Sequence, residues 1–422
     1  MRQKLVLSKA ANLLAQKRVL MRADFNVPIK GGKIANATRI TETLPTIEAI
    51  MRQKPASLVL MSHLGRPDGH KKEEDSLRPV AEELAKFLGK KVRFVNDCVG
   101  DEAKNSLPGL KDGEIVLLEN LRFYAEEEGK SVNEKGEKVK APKENVKAFS
   151  KTLSSFGDIF VNDAFGTAHR AHASMVGIDL PIRMAGLLME KELKFFSKVL
   201  EQPEAPLVLI LGGAKVADKL PLIQNFLDKA DHILIGGGMS FTFLKEANGN
   251  SIGKSLYDQE KAALAKSLLE QSKTARAKIV LPQDVVVGSD FKTAQNVETQ
   301  AANKDIDASK LGVDVGPKTI EEFRKIILGA KTIVMNGPLG VFEVPEYSNG
   351  SIAVVEAIVE ATKKGAVSVI GGGDSLNLIS KVKGAKDNLS HVSTGGGASL
   401  ELLEGKVLPG IAHLSDEKDT KK

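Results

Sequence analysis

Short apolar runs alternate with longer stretches of helical spacing along the whole chain, and each run ends in polar residues or glycine. In the first half the runs are Val19 to Asp24, Leu58 to His63, Val92 to Asp97, Ile115 to Asn120 and Ile159 to Asp163. In the second half they are Leu207 to Leu211, Ile233 to Ile235, Ile279 to Leu281, Ile333 to Met335, Val367 to Ile370 and His391 to Thr394. Runs this short, without polar alternation, fit parallel strands buried on both faces. The pattern predicts an α/β fold in which a doubly wound, Rossmann-like parallel sheet occurs twice. Leu187 to Leu200 has helical spacing and is broken by Gln202-Pro203-Glu204-Ala205-Pro206, which makes it the connector between the halves and a hinge. The charged stretch from Glu126 to Glu144 reads as a solvated excursion, and Asp416 to Lys422 as a frayed tail.

The length of 422 residues agrees with more than one domain, and 42% hydrophobic with 27% charged residues excludes a disordered or fibrous chain. A net charge of +6 over this length is a mild bias, suited to small anions at local clusters. With aromatic residues at 5% and no Trp, platforms for stacking nucleic-acid bases are not expected. The lone Cys98 excludes an intramolecular disulfide and a cysteine-rich metal site, fits a reducing cytoplasm, and reads as a small buried filler. No apolar run approaches the ~18 to 20 residues that cross a bilayer. Arg2, Lys4, Lys9, Lys17 and Arg18 imitate a basic leader, but the first strand follows so soon that little is left to cleave.

Glycine carries the chemistry. There are 38, with runs at Gly212-Gly213, Gly236 to Gly238, Gly371 to Gly373 and Gly395 to Gly397, each following a predicted strand. In an open parallel sheet, ligands bind beyond the carboxyl ends of the strands, where glycine lets backbone N–H groups approach phosphate. Four such junctions point to a phosphate-rich ligand. The dinucleotide fingerprint is absent, because neither Gly236 to Phe241 nor Gly371 to Leu376 ends in the required glycine, which argues against a dehydrogenase. Gly249 to Ser255 misses the P-loop spacing by one residue and follows no strand. Lys215 and Lys219, four apart after Gly212-Gly213, are expected on one face of a helix's opening turn, placed to hold a phosphoryl group. Asp374 is either an N-cap or a magnesium ligand. The strand ends of the first half lead instead to Asp24, Asn26, Arg39, His63, Arg66, Arg122, His169 and Arg170, a set suited to a small, doubly anionic metabolite. His169 and His172 have a metal-like spacing without an evident third ligand.

Read together, Arg22-Ala23-Asp24-Phe25-Asn26-Val27-Pro28, Ser62-His63-Leu64-Gly65-Arg66-Pro67, Leu118 to Phe123 and Asn162 to Arg170 closely resemble phosphoglycerate kinase. So do Gly212 to Lys219, Asn336 to Glu343, Gly371 to Asp374 and Ser393 to Glu401, and the resemblance, to the longer, eukaryotic-type form, covers essentially the whole chain. It implies reversible phosphoryl transfer from 1,3-bisphosphoglycerate to MgADP, giving 3-phosphoglycerate and MgATP. It implies two lobes: residues 1–185 binding phosphoglycerate, with 405–422 packed back onto them, a hinge helix at 186–203, and a nucleotide-binding lobe at 204–404. By resemblance, Asp24, Phe25, Asn26, Arg39, His63, Leu64, Gly65, Arg66, Arg122 and Arg170 hold phosphoglycerate. Gly213, Ala214, Lys219, Gly238, Gly312, Val313, Asn336, Pro338, Glu343, Gly371, Gly372, Gly373, Asp374 and Ser375 match the nucleotide side, with Glu343 at the ribose and Asp374 at Mg²⁺. Arg39, Lys215, Lys219, Gly373 and Gly396 are expected to act on the moving phosphoryl group, with the Gly395-Gly396 backbone as donors. The resemblance further implies a cytoplasmic monomer that engages neither nucleic acid nor membrane. One departure stands out: Leu376-Asn377 follows Asp374-Ser375 where the family commonly has smaller residues. The alternative reading is an inactive anion-binding scaffold on the same fold, opposed by the intact lysines, Asp374 and arginines.

Overall fold

A computed structural model describes residues 3–420. The chain divides into two compact units, Met1–Lys194 with Val407–Lys422, and Phe195–Lys406. The helix Leu187–Leu200 runs across that division.

The first unit is built on a six-stranded parallel sheet, ordered Ile182–Ala185, Ile159–Asn162, Arg18–Arg22, Ser57–Met61, Glu114–Leu118, Val92–Val95. Its strands are apolar throughout because both faces are covered. Val19, Met21, Leu58 and Leu60 point to one face and pack with Ile40, Ile47, Val80 and Leu84 of the helices Thr38–Arg52 and Arg78–Leu88. Leu20, Val59 and Met61 point to the other, against Phe149 and Leu153 of the helix Lys143–Ser154. Cys98 lies in this second layer, 1% exposed, as the small filler expected of it. Strand order reverses between Arg18–Arg22 and Ile159–Asn162, so the loops after Arg22 and Asn162 open at the switch point of the sheet.

The second unit repeats the plan with Lys278–Val280, His232–Ile235, Leu207–Leu211, Thr332–Asn336, Val367–Gly371 and His391–Val392, all parallel. In chain order this is 3-2-1-4-5-6, the arrangement of doubly wound nucleotide-binding sheets. The switch point falls between Leu207–Leu211 and Thr332–Asn336, which places Gly212-Gly213 beside Asn336-Gly337-Pro338. One face packs Val208, Ile210, Ile333 and Met335 on Phe323, Ile327, Val354 and Ile358 of the helices Pro317–Leu328 and Asn349–Lys363.

Several local expectations are corrected. A three-stranded antiparallel sheet, Glu298–Ala301, Asp284–Gly288 and Leu311–Val315, was not legible and closes over Phe241 and Leu244. The edge strand Ile182–Ala185 is likewise additional. The excursion at Glu126 to Glu144 is solvated at the hairpin Lys130–Val132/Lys138–Lys140, but Glu127 inside it is 1% exposed. The tail is not frayed at its start: Asp416 pairs with Lys4 at 2.9 Å, and the Glu417 N–H donates to the Gln3 carbonyl at 3.0 Å. The last two residues of that tail lie outside the described residues.

Candidate active site

In the first unit, the loops that follow three neighbouring strands lock one another. The Asp24 carboxylate pairs with Arg39 at 2.6 Å and accepts the Asn26 N–H at 3.1 Å. Asn26 Oδ1 accepts the Gly65 N–H at 2.9 Å, and the Gly65 carbonyl accepts from Arg122 Nη1 at 2.9 Å. Gly65 has φ +62°, and a Cβ there would stand 2.2 Å from Asp75 Oδ1, so the position requires glycine. Asn120, which sequence reasoning passed over, receives the N–H groups of Leu64 and Arg122 at 3.2 and 3.0 Å. The Phe25 N–H donates to Ser62 Oγ at 2.9 Å.

Electrostatics shows which cations converge. Burial pushes His63 well below the usual histidine value, and the charges of Arg22, Arg122, Arg39 and His172 push in the same direction. His172 is held down at about 3, by burial first and then by Arg122, Arg22, Arg170 and His169. Arg22, Arg39, Arg122 and Arg170 therefore surround two neutral imidazoles; Asp24, Glu127 and Glu128 offset part of that charge, and the exposed Arg170 leaves a cationic face suited to an anion. Arg66 and Arg170 are exposed on their loops. The histidine pair does not build a metal site: His172 faces Glu127 and Glu128 at 3.9 and 3.7 Å, and no metal-holding group of three ligands occurs among the described residues.

In the second unit, a cleft of about 670 Å³ adjoins one of about 430 Å³, and the two share Gly213, Ala214, Pro338 and Asp374. The larger is walled by Gly237, Gly238, Leu256, Phe291, Leu311, Gly312, Val313, Val341, Phe342 and Glu343, an apolar slot that fits a flat ring. The smaller is polar, with Lys215, Lys219, Asn336, Gly372, Gly373, Ser375 and Gly396. Lys219 Nζ donates to Asn336 Oδ1, and the Gly337 N–H donates to Ser375 Oγ at 3.0 Å. Burial draws the Lys219 ammonium below its usual value, opposed by Asp218, Asp374 and Glu404. Asn336 Nδ2 is buried without a hydrogen-bond partner among the described residues, an orphan donor beside Gly371 and Gly372. A ligand oxygen would satisfy it.

The glycines divide by role in a way the sequence does not show. The Gly212, Gly213 and Gly237 N–H groups donate to the carbonyls of Asn336, Pro338 and Leu339 at 3.1, 2.8 and 2.8 Å. These glycines permit close backbone crossing and do not offer N–H groups to a ligand. Gly312 likewise spends its N–H on Ser255 Oγ at 2.8 Å, and a Cβ there would enter the Phe241 ring. Gly373 opens the helix Gly373–Ser380 and Gly396 precedes Gly397–Leu403, where first-turn N–H groups lack intrahelical acceptors. The Gly395 N–H is taken by Ser393 Oγ at 3.2 Å, so of the Gly395-Gly396 pair only Gly396 is left to donate into the cleft.

Three more expectations change. Lys215 and Lys219 precede the helix Leu220–Phe226 and stand in the turn before it, with Lys219 at its cap. Asp374 is not an N-cap, because Gly372 holds that place; its carboxylate makes no hydrogen bond or ion pair among the described residues. The P-loop near miss is a pair of turns: Gly249 ends the helix Ser240–Asn248, and Gly253 fits between the carbonyls of Asp307 and Lys310. The apolar wall of Leu256, Phe291, Leu311 and Phe342 went unread in the sequence. Nothing in the sequence marks it: only the structure shows Leu256 and Phe291 as large apolar residues left 52% and 53% exposed.

An arginine-ringed anion site in one doubly wound unit, and in the other a slot for a flat ring that leads into a lysine- and glycine-edged phosphate site, make a phosphotransferase that uses a nucleotide. The family model described as phosphoglycerate kinase matches residues 10–406. Phosphoglycerate kinase of Euplotes crassus is 52% identical over 98% of this chain and 99% of its own length. That of Schistosoma mansoni is 52% identical over 96% of this chain and 97% of its own. Among solved structures, phosphoglycerate kinase from Coxiella burnetii superposes with a TM-score of 0.84 at 39% identity, covering 97% of this chain and 98% of that one. The chain belongs to the phosphoglycerate kinase family. It is a glycolytic phosphotransferase with a carboxyl group as acceptor.

Proposed function

We propose that the first unit binds the phosphoglycerate through Asp24, Phe25, Asn26, Arg39, His63, Leu64, Gly65, Arg66, Arg122 and Arg170. The second binds the nucleotide through Gly213, Ala214, Lys219, Gly238, Gly312, Val313, Asn336, Pro338, Glu343, Gly371, Gly372, Gly373, Asp374 and Ser375. The observation that carries this reading is the orphan Asn336 Nδ2 at the sheet's switch point, a buried donor without a protein acceptor, beside the half-buried Lys219 whose ammonium has Asn336 Oδ1 as its hydrogen-bond acceptor.

The chemistry asks little covalent work of the protein. The attacking or leaving carboxylate needs no deprotonation, so no general base is required, and catalysis consists of alignment and charge neutralisation. Lys219, steered by Asn336, takes one side of the transferring group, and the exposed Lys215 another. Gly373 and Gly396 supply backbone donors, and Arg39, oriented by Asp24, faces the acceptor end. Asp374, a single uncommitted carboxylate, suits Mg²⁺ whose remaining ligands are nucleotide phosphate and water. Bound there, the ion would neutralise phosphate charge. Since acceptor and nucleotide residues belong to different units, we assign the shared helix Leu187–Leu200 as the hinge through which they come to act on one phosphoryl group. Both sets of residues lie in one chain, so a monomer would hold every group that this reading needs. No helix among the described residues is long and apolar enough to cross a membrane, and the single, free and buried Cys98 fits the cytoplasmic setting we propose.

A coupled assay with 3-phosphoglycerate and MgATP tests the activity, and Lys219→Ala tests the site. The variant is expected to lose well over tenfold in kcat, with 3-phosphoglycerate affinity held within about twofold. A loss confined to 3-phosphoglycerate affinity would remove Lys219 from the transfer step.

A further inference from the structure

Beneath the anion site lies a buried ion network that the substrate contacts do not use. Arg22 is fully buried, and its Nη2 stands 3.1 Å from His63 Nδ1. Its Nη1 donates to the Ala23 carbonyl and its Nε to Ser174 Oγ at 2.8 Å. The Ser174 hydroxyl donates to Glu127 Oε1 at 2.6 Å, and its N–H donates to Glu127 Oε2 at 2.9 Å. Glu127 thereby fixes Arg22 through a serine and compensates its charge, with Oε1 3.8 Å from Nη2.

We propose that Arg22 is a positioning residue for the reaction, holding His63 as the neutral Nε2–H tautomer so that this ring meets the substrate as a hydrogen-bond donor. A guanidinium only donates, so His63 Nδ1 must present its lone pair to Arg22, and a neutral ring then carries its proton on Nε2. Nε2 has no partner among the described residues, which leaves that donor for a ligand. Protonating the ring would place an N–H against the guanidinium. Arg22, Arg39, Arg122 and His172 all oppose that second charge, while the carboxylates of Glu127 and Asp24 act on Arg22. His63 is thus neither cation nor base in the working range, and the positive charge offered to the substrate is left to Arg39, Arg66, Arg122 and Arg170. This rests on the placement of His63 against phosphoglycerate.

The test is nitrogen-15 NMR of histidine-labelled full-length enzyme, with His63→Gln to assign the ring. The free enzyme is expected to show an unprotonated Nδ1 and a protonated Nε2, unchanged from about pH 5.5 to about 8.5, a range in which an ordinary histidine titrates. Adding 3-phosphoglycerate should shift Nε2 and leave Nδ1. In Arg22→Met/Glu127→Gln, a pair chosen to leave no lone buried charge, the ring should show both tautomers while staying neutral, because burial, Arg122, Arg39 and His172 still oppose its protonation. The KM for 3-phosphoglycerate should then rise about tenfold while the KM for MgATP stays within about twofold. An Nδ1–H tautomer, a titrating wild-type His63, or a variant that keeps the wild-type tautomer would overturn the lock. An Nε2 signal indifferent to saturating 3-phosphoglycerate, with the tautomer as expected, would instead overturn the placement of His63 and with it the donor role.

Discussion

Two buried carboxylates show how single residues join the sheets to the helices that follow. Asp163, at the switch point of the first sheet, accepts the Leu188 and Met189 N–H groups at 3.0 and 3.1 Å, and burial pushes its carboxyl up to about 6. Asp314, next to Val313 of the nucleotide cleft, accepts the Gly350 and Val315 N–H groups, each at 2.8 Å, and burial pushes it up to about 7. Each carboxylate is held by backbone N–H groups, yet desolvation outweighs those bonds. The sign follows from linkage. Between about pH 4 and 7 the folded chain keeps a proton on Asp314 that the unfolded chain has released, so stability falls as pH rises through that window and then levels. Asp314→Asn should lower stability by about 1–3 kcal/mol, since an amide oxygen replaces two acceptors with one. The variant's urea midpoint should also vary less between pH 5 and 7.5 than the wild type's. Equal slopes would show that Asp314 titrates alike in the folded and unfolded chain.

Among elements, the strand-end loops of the second unit depend on one another more than on any ligand. Gly237 has φ +67°, and a Cβ there would lie 2.6 Å from the Gly213 nitrogen and 2.8 Å from the Pro338 carbonyl. The Met239 N–H meanwhile donates to the Gly213 carbonyl at 2.9 Å. A methyl group at 237 has to push apart the backbones that close the cleft floor. Gly237→Ala is therefore expected to raise the nucleotide KM at least about tenfold and cost about 1–3 kcal/mol, leaving the KM for 3-phosphoglycerate unchanged. Isothermal titration with each substrate separates the two effects, and an equal loss of both affinities would contradict the role assigned to these crossings. The same loops mark where sequence reading stops. Leu207 to Leu211 and Ile333 to Met335 announce themselves because strands buried on both faces are apolar at every position. Glu298-Thr299-Gln300-Ala301 has no such signature: it is a half-exposed edge, so the small antiparallel sheet that carries Leu311, Gly312 and Val313 into the cleft is invisible. Arginines and lysines at strand ends are legible by type. Glu127 is not, since Glu126 and Glu128 beside it look identical and only tertiary packing selects one for burial under Arg22.

Across the whole chain, the decisive feature is that the first unit is completed by its last residues. After Phe195–Lys406 has formed the second unit, Val407–Lys422 returns to the first. There Leu408, Ile411 and Leu414 are 1%, 4% and 2% exposed, and the Ser415 N–H donates to the Arg183 carbonyl at 2.8 Å. Arg183 Nε in turn donates to the His413 carbonyl at 2.7 Å. The Gly410 N–H donates at 2.9 Å to the carbonyl of Ala168, immediately before His169 and Arg170. The segment thus braces the back of the anion site, and residues far apart in the chain share one folding unit. Leu414→Ala removes a buried side chain from that brace and should cost about 2–5 kcal/mol in the first unit. Because Ala168 is held by the same segment, affinity for 3-phosphoglycerate should fall several-fold while nucleotide affinity, which we have proposed to rest on residues of 195–406, stays at its wild-type value. Denaturant unfolding read together with titration of each substrate checks this. A matching fall in nucleotide affinity would mean that the returning segment steadies both units, and the division of labour drawn from the chain's path would have to be abandoned.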